Sequence, residues 1–139
     1  MKMRVLTATK KGKLISLAEK VAQKAESTYK VDVIPPAYPC DRERLVVIVA
    51  SLSANMGDAF NRFCVSLSRE YSQNVAFIFD GKPELAEKII ETVKAAGTNV
   101  IDDVLYLEGG LPFKFIKKYT PEEEAKVLEW TDRILAAMK

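Results

Sequence analysis

The chain has 139 residues, and this length predicts a single domain, residues 1–139, with one hydrophobic core. Hydrophobic residues make up 48% and charged residues 29%, which is typical of globular rather than disordered chains. The net charge of +2 gives no reason to expect nucleic-acid binding. No apolar stretch approaches the roughly 20 residues that cross a bilayer, and the basic N-terminus lacks a signal-peptide core. We therefore expect a cytoplasmic protein with no membrane partner.

The sequence contains no histidine, which excludes Ser–His and Cys–His nucleophile pairs, imidazole acid–base groups and His-ligated metal sites. The two cysteines, Cys40 and Cys64, form no CxxC pair and no zinc pattern. Cys64 lies on an apolar helical stripe, which favours a core position. Without histidine, any chemistry would have to come from carboxylates, lysines or a bound cofactor. We assign no residue as catalytic and none as a metal ligand.

Short apolar runs alternate with helical stripes along the chain, which is the pattern of an α/β domain. The first strand is predicted at residues 4–8, and a helix with one apolar face follows from Leu14. The second strand is predicted at residues 31–34 and is stopped by two prolines. Only about ten residues then precede the third strand, which is near the minimum for a parallel crossover and leaves no room for a full helix.

The third and fourth strands, residues 45–50 and 75–79, are apolar at every position, as expected at the centre of a parallel sheet that is covered on both faces. A helix follows each of them, and Gly97 is placed to end the second. The fifth strand is predicted at residues 100–107. The last helix opens at Thr120 with a capping box and a proline at its first position.

Successive strand–helix–strand units require right-handed crossovers and therefore a parallel sheet. A five-stranded chain of this length fits the order 2-1-3-4-5, an open sheet between two layers of helices. Ligands of such sheets bind at the carboxyl ends of the strands where the strand order reverses, here between the first and third strands. Three loops border this point: residues 7–14, 51–58 and 80–83.

The first loop combines lysines with a glycine at the start of a helix. Free backbone N–H groups and the helix dipole attract an anion at such a turn, where Gly12 would allow a close approach and Thr9 offers a hydroxyl. The alternative is a solvated basic turn that merely starts an amphipathic helix. The candidate binding residues in this loop are Thr9, Lys10, Lys11, Gly12, Lys13 and Leu14.

The same loop resembles the phosphate loop of the flavodoxin family, which reads Ser/Thr-x-Ser/Thr-Gly-Asn-Thr after the first strand. Thr9 and Gly12 match this motif, whereas Lys11 replaces a hydroxyl residue, Lys13 replaces the asparagine and Leu14 replaces the last threonine. The resemblance extends through the order of the elements over nearly the whole chain. It implies a flavodoxin-like three-layer fold, FMN as the cofactor, and a protein redox partner.

The other two loops provide the remaining candidates. In the second loop, Leu52 or Met56 could cover the flavin ring in place of the family's aromatic residue, or Ser53 or Asp58 could simply cap the next helix. In the third, Gly81 could expose backbone N–H groups toward the ring, although Asp-Gly-Lys-Pro is also an ordinary turn. The candidates here are Ser51, Leu52, Ser53, Asn55, Met56, Gly57, Asp80 and Gly81.

Two segments lie apart from these loops. Residues 109–119 mix aromatic residues with lysines, a composition that suits docking of a protein partner. Packing of the aromatic residues on the sheet edge, with the lysines facing water, is the alternative. Trp130 lies off the apolar stripe of the last helix and is interpreted as structural.

Two main functions are consistent with these residues. The resemblance implies an FMN-binding electron carrier rather than a stand-alone enzyme, in which the flavin supplies the chemistry. The missing hydroxyl ligands and the missing aromatic favour instead an interaction module, or a subunit of a complex, that has lost the flavin. A small enzyme acting on another phosphorylated ligand is a third reading, and it lacks an acid–base pair. The sequence leaves open whether the chain forms a homodimer.

Overall fold

A computed structural model describes residues 2–8, 12–27, 30–38, 40–107 and 119–138. The strands are β1 (Met3–Thr7), β2 (Asp32–Val33), β3 (Leu45–Ser51), β4 (Asn74–Asp80), β5 (Asn99–Val100) and β6 (Leu105–Leu107). The helices are α1 (Lys13–Lys24), α2 (Asp58–Val65), α3 (Glu87–Ala96) and α4 (Pro121–Ala137), with a 3-10 turn (Pro83–Ala86) leading into α3.

All the strands pair in parallel in one sheet of order β2-β1-β3-β4-β5, and β6 also pairs with β4. The predicted α/β class and the predicted order 2-1-3-4-5 are therefore confirmed. The order reverses between β1 and β3, so the carboxyl ends of these two strands form the switch point where ligands of such sheets bind.

The predicted continuous fifth strand is wrong. β5 pairs with the amino half of β4 and β6 pairs with its carboxyl half, while residues 101–104 leave the sheet between them. The break coincides with contacts to α4: the indole Nε1 of Trp130 donates to the carbonyl oxygen of Asp103 at 2.6 Å, and Arg133 forms an ion pair with the Asp103 carboxylate at 2.8 Å. These contacts connect the segment between β5 and β6 to α4.

The two faces of the sheet carry separate cores. Successive residues of a strand point to opposite faces, so Ile48 and Phe77 pack under α2 and α3, whereas Val47 and Ile78 pack under α1 and α4. Residues 45–50 and 75–79 are all at most 1% exposed, which confirms that β3 and β4 form the centre of the sheet. Cys64 is buried in the α2/α3 core, as its position on an apolar stripe predicts.

The connection from β2 to β3 contains no helix in its described residues, 34–38 and 40–44, in agreement with its short length. It begins with a cis peptide bond between Ile34 and Pro35. Arg4, which is 3% exposed on β1, holds this segment by donating from its guanidinium to the carbonyl oxygen of Tyr38 at 3.0 Å. Within the described residues, no helix is both long enough and apolar enough to cross a membrane.

Candidate functional site

The three predicted loops begin side by side at the carboxyl edge of the sheet. Thr7 at the end of β1 pairs with Val49, and Ser51 at the end of β3 pairs with Asp80 at the end of β4. The backbone N–H of Leu52 donates to the carbonyl oxygen of Asp80 at 2.8 Å, which joins the second and third loops directly. The sheet thus brings together the loops that the sequence selects.

The first loop delivers the start of α1 to this edge. Thr9, Lys10 and Lys11 lie outside the described residues, and Gly12 is the first described residue after them. Gly12 is the N-cap of α1 with φ 95°, a backbone conformation that favours glycine. No side chain caps α1 and its first turn contains no acidic residue, so its own side chains leave the positive end of the helix dipole uncompensated.

A basic loop suggests lysine side chains that are exposed to water, but the side chain of Lys13 lies in a different environment. Lys13 is only 7% exposed, and its Nζ lies 2.7 Å from Oε2 of Glu123 and 3.6 Å from Oδ2 of Asp80. We call these three residues the Lys13 cluster. It links the first residue of α1 to the end of β4 and to the first turn of α4.

Burial and pairing act differently on the two carboxylates of the Lys13 cluster. Burial raises the pKa of Asp80, with Lys13 opposing the rise, and Oδ1 of Asp80 has no hydrogen-bond partner. Burial also opposes ionisation of Glu123, but hydrogen bonds from Lys13 and from the Thr120 backbone outweigh it and hold the pKa of Glu123 below its usual value. Glu123 is therefore the firmly ionised partner of Lys13, and Asp80 is the poorly compensated one.

Glu123 was not among the candidates taken from the sequence. Its role in the capping box was predictable: its backbone N–H donates to the Thr120 hydroxyl at 3.1 Å, and its Oε1 accepts from the Thr120 N–H at 3.0 Å. Its second oxygen carries the contact to Lys13. The capping box was thus the available signal for Glu123, but nothing local in the sequence pointed from it to Lys13.

Leu14 contributes its backbone alone to the carboxyl edge. Its side chain is 5% exposed and packs in the α1/α4 core with Leu17 and Val5. The residue that replaces the family's last threonine is therefore an anchor for the helix, and it directs no polar atom toward a ligand.

The second loop is organised by its own polar side chains. Oδ1 of Asn55 accepts from the backbone N–H of Gly57 at 2.9 Å, and the Ser53 hydroxyl donates to the carbonyl oxygen of Asn55 at 2.8 Å. Gly57, with φ 90°, is the N-cap of α2, so the interpretation of Ser53 or Asp58 as the cap is wrong. A glycine takes this position because its backbone is in a conformation that residues with a Cβ rarely adopt.

The third loop is closed against its neighbours. The N–H of Gly81 donates to the carbonyl oxygen of Leu107 on β6 at 3.2 Å, so this group, which the sequence suggested as a contact to the ring, is already hydrogen-bonded within the sheet. A Cβ on Gly81 would lie 3.0 Å from Cβ of Leu52, so Leu52 packs directly on the glycine. Leu52 and Met56 are half-buried against the α2/α3 core, while Ser51 is exposed.

Two cavities lie on the α2 side of the sheet. One, of ≈ 380 Å³, is bordered by the second loop and by α3; its lining includes Ser53, Asn55, Met56, Lys88 and Thr92. The other, an apolar groove of ≈ 520 Å³, lies between the β2–β3 connection and α2 and includes Pro35, Pro36, Phe63, Leu67 and Tyr71. Among the described residues there is no cluster of side chains suited to hold a metal ion.

No protein-family model matches this sequence, and no curated protein sequence matches it. A solved structure of a flavodoxin from the domain Archaea matches the chain with a TM-score of 0.72 and 16% sequence identity, covering 99% of this chain and 99% of that one. The chain therefore has a flavodoxin-like fold, and the architecture expected from the resemblance is confirmed.

Proposed function

We propose that this chain, which has the fold of a flavodoxin, binds FMN at the carboxyl edge between β1 and β3 and transfers electrons to a protein redox partner. The observation that carries the proposal is the start of α1. Gly12 starts α1 at the switch point of the sheet, and the first turn of this helix has no side-chain cap and no acidic residue of its own. Such a terminus stabilises a phosphate group through its backbone N–H groups and the helix dipole.

The phosphate contacts would come from the first loop. The backbone of Gly12, Lys13 and Leu14 offers donors at the helix start, and Thr9 adds a hydroxyl. Lys10 and Lys11 would add positive charge. The ammonium of Lys13 is held by Glu123, so we assign it to fixing the helix start rather than to direct phosphate contact.

The ring contacts would come from the second and third loops. Leu52 lies against Gly81 and presents an apolar, half-buried side chain, and Met56 of the same loop is also half-buried. The short polar side chains of Ser51, Ser53 and Asn55 and the backbone of Gly57 border the same loop. When bound, FMN supplies the redox chemistry, and these residues position the ring and limit its contact with water.

The test is direct. Purified protein with bound flavin absorbs near about 375 and 450 nm, and apo-protein quenches FMN fluorescence on titration. We expect affinity below that of a site with all its hydroxyl ligands, with a steep salt dependence, because lysine charge replaces two neutral ligands. Replacing Lys10 and Lys11 with Gln should weaken binding and flatten its salt dependence.

Lys24→Gln is the matched control, since Lys24 lies at the far end of α1 in an exposed pair with Asp132. This variant should bind FMN like the natural chain. Absence of quenching with about 100 micromolar protein, equivalent to about 5.5 kcal/mol, would reject the flavin proposal.

The second candidate function is an interaction module that has lost the flavin. The observation that favours it is the apolar groove beside α2, together with large exposed side chains on the same side of the sheet: Tyr71 is 44% exposed and Val65 is 65% exposed. Aromatic residues at a groove are typical anchors of protein interfaces. A chain that fails to quench FMN, yet loses binding to a co-purifying subunit in a Tyr71→Ala variant, would support this function.

A further inference from the structure

The Lys13 cluster lies at the start of α1, where the proposed phosphate site begins. Lys13 is the first residue of this helix, and its side chain runs from there to Asp80 and Glu123. The three side chains are largely buried, with exposed fractions of 8%, 6% and 17% respectively. Charges in such a place are poorly screened by water, so they respond strongly to any charge that is added nearby.

The Lys13 cluster has more negative than positive charge when its groups are ionised. One ammonium faces two carboxylates, and it lies closer to Glu123, at 2.7 Å, than to Asp80, at 3.6 Å. Oδ1 of Asp80 is buried without a hydrogen-bond partner. A buried, unpaired carboxylate oxygen is costly, and the cost falls when the group takes up a proton.

No other charged side chain of a described neighbour offsets this imbalance. Across the sheet Asp80 pairs with Ser51 on β3 and with Leu107 on β6, and both are uncharged. The charged groups that act on Asp80 from the packed helices are Lys13 of α1 and Glu123 of α4. Lys13 opposes protonation of Asp80 and Glu123 favours it, with burial as the largest influence.

We propose that binding of a phosphate-class anion at the first turn of α1 is coupled to the uptake of one proton by Asp80. The anion adds negative charge beside a buried group that already carries an excess of it. Protonation of Asp80 removes that excess and leaves Lys13 and Glu123 as a neutral pair. The proton comes from solvent and adds to the Asp80 carboxylate, and no bond in the ligand forms or breaks.

This inference rests on the proposed phosphate site, and it adds a regulatory property to it: affinity for the anion falls as the pH rises. By linkage, the dissociation constant should increase by up to tenfold per pH unit over the range in which free Asp80 loses its proton while the complex retains it. An uncoupled site would show no such slope for an anion whose own charge is constant.

Sulfate is the suitable probe, because it stays a dianion between about pH 5 and 8, whereas the FMN phosphate titrates at about pH 6. Its dissociation constant would be measured by calorimetry at constant ionic strength across this range. Comparison of two buffers with different ionisation enthalpies counts the protons taken up. We expect uptake approaching one proton in the natural chain, and a slope that disappears in Asp80→Asn.

Two further variants sharpen the result. Asp102→Asn removes an exposed carboxylate outside the Lys13 cluster and should keep the natural pH dependence. Glu123→Gln removes the closer partner of Lys13, so the ammonium is left to Asp80 and the coupling should move to lower pH. This second variant tests the same idea if Asp80→Asn does not fold.

The outcomes separate this inference from the proposed function. FMN binding with sulfate affinity that is independent of pH would overturn the coupling and leave the flavin proposal standing. Proton-coupled sulfate binding without FMN binding would support the coupling and reject the flavin proposal. A slope that persists unchanged in both Asp80→Asn and Glu123→Gln, or no sulfate binding at any pH, would reject the coupling.

Discussion

The Nζ atom of Lys13 lies 2.7 Å from Oε2 of Glu123, although the two residues are 110 positions apart in the chain. This contact joins the first turns of α1 and α4, and the same ammonium reaches Asp80 at the end of β4. One buried charge therefore holds three elements together at the edge where the proposed ligand binds.

Replacing Lys13 with Met should lower the free energy of unfolding by about 3–5 kcal/mol at neutral pH, because two buried carboxylates lose the counter-charge that they share. Urea denaturation would measure the loss. Lys24→Met removes an exposed pair with Asp132 and should cost less than about 1 kcal/mol. Equal losses in the two variants would contradict the structural role of the Lys13 cluster.

Asp80 should make stability fall as the pH rises. Because burial raises its pKa from the usual 3.8, the folded chain holds this proton more tightly than the unfolded chain. The contribution of Asp80 to the free energy of unfolding is fully favourable below pH 3.8 and is lost as the pH rises through the raised pKa. Urea titrations of the natural chain and of Asp80→Asn over this range should show the fall in the natural chain alone. A parallel pH dependence in both proteins would show that Asp80 is not responsible.

Leu14→Thr restores the residue type of the flavodoxin motif at this position, yet it should destabilise the chain. The side chain is buried in the α1/α4 core, so the change leaves a cavity and an unpaired hydroxyl, at a cost of about 2–4 kcal/mol. Thermal denaturation would measure it. Ile15→Thr, at a half-buried position in the same turn, should cost less. If Leu14→Thr proves as stable as the natural chain, the start of α1 does not pack as described.

Ile48→Ala tests the centre of the sheet. Ile48 is 0% exposed on β3 beneath α2 and α3, so the cavity should cost about 2–5 kcal/mol in the free energy of unfolding. Val65→Ala, at a side chain that is 65% exposed, should change it by about 0.5 kcal/mol or less. A cost below about 1 kcal/mol for Ile48→Ala would place the core elsewhere.

Much of the fold could be predicted because its signals are local. Burial on both faces removes polar residues from β3 and β4, and a run without any polar side chain is visible directly in the sequence. The start of α4 was equally predictable from the sequence, because Thr120 and Glu123 form their reciprocal hydrogen bonds within one helical turn. General rules of chain connection then predicted a parallel sheet, and the length of a five-stranded chain selected one of the two common strand orders.

The failures have long-range causes. The break in the fifth strand coincides with contacts from Trp130 and Arg133 to Asp103. The pattern within residues 100–107 contains no information on contacts to a helix that follows much later in the chain. Lys13 similarly looked like one of several exposed lysines, since its partners lie on β4 and α4. A short-range pattern identifies which residues are charged, but the three-dimensional packing decides which of those charges remain available to a ligand.

The helix starts at Gly12 and Thr120 differ in how their first turns are capped. α4 satisfies its own first turn with a capping box and three glutamates, and α2 and α3 each carry an acidic residue in theirs. α1 has neither a side-chain cap nor an acid there. A side-chain cap or an acidic residue in the first turn would stabilise α1, but it would also occupy the backbone N–H donors of that turn. At this turn, selection for helix stability would favour capping and acidic residues, whereas selection for phosphate affinity would favour their absence.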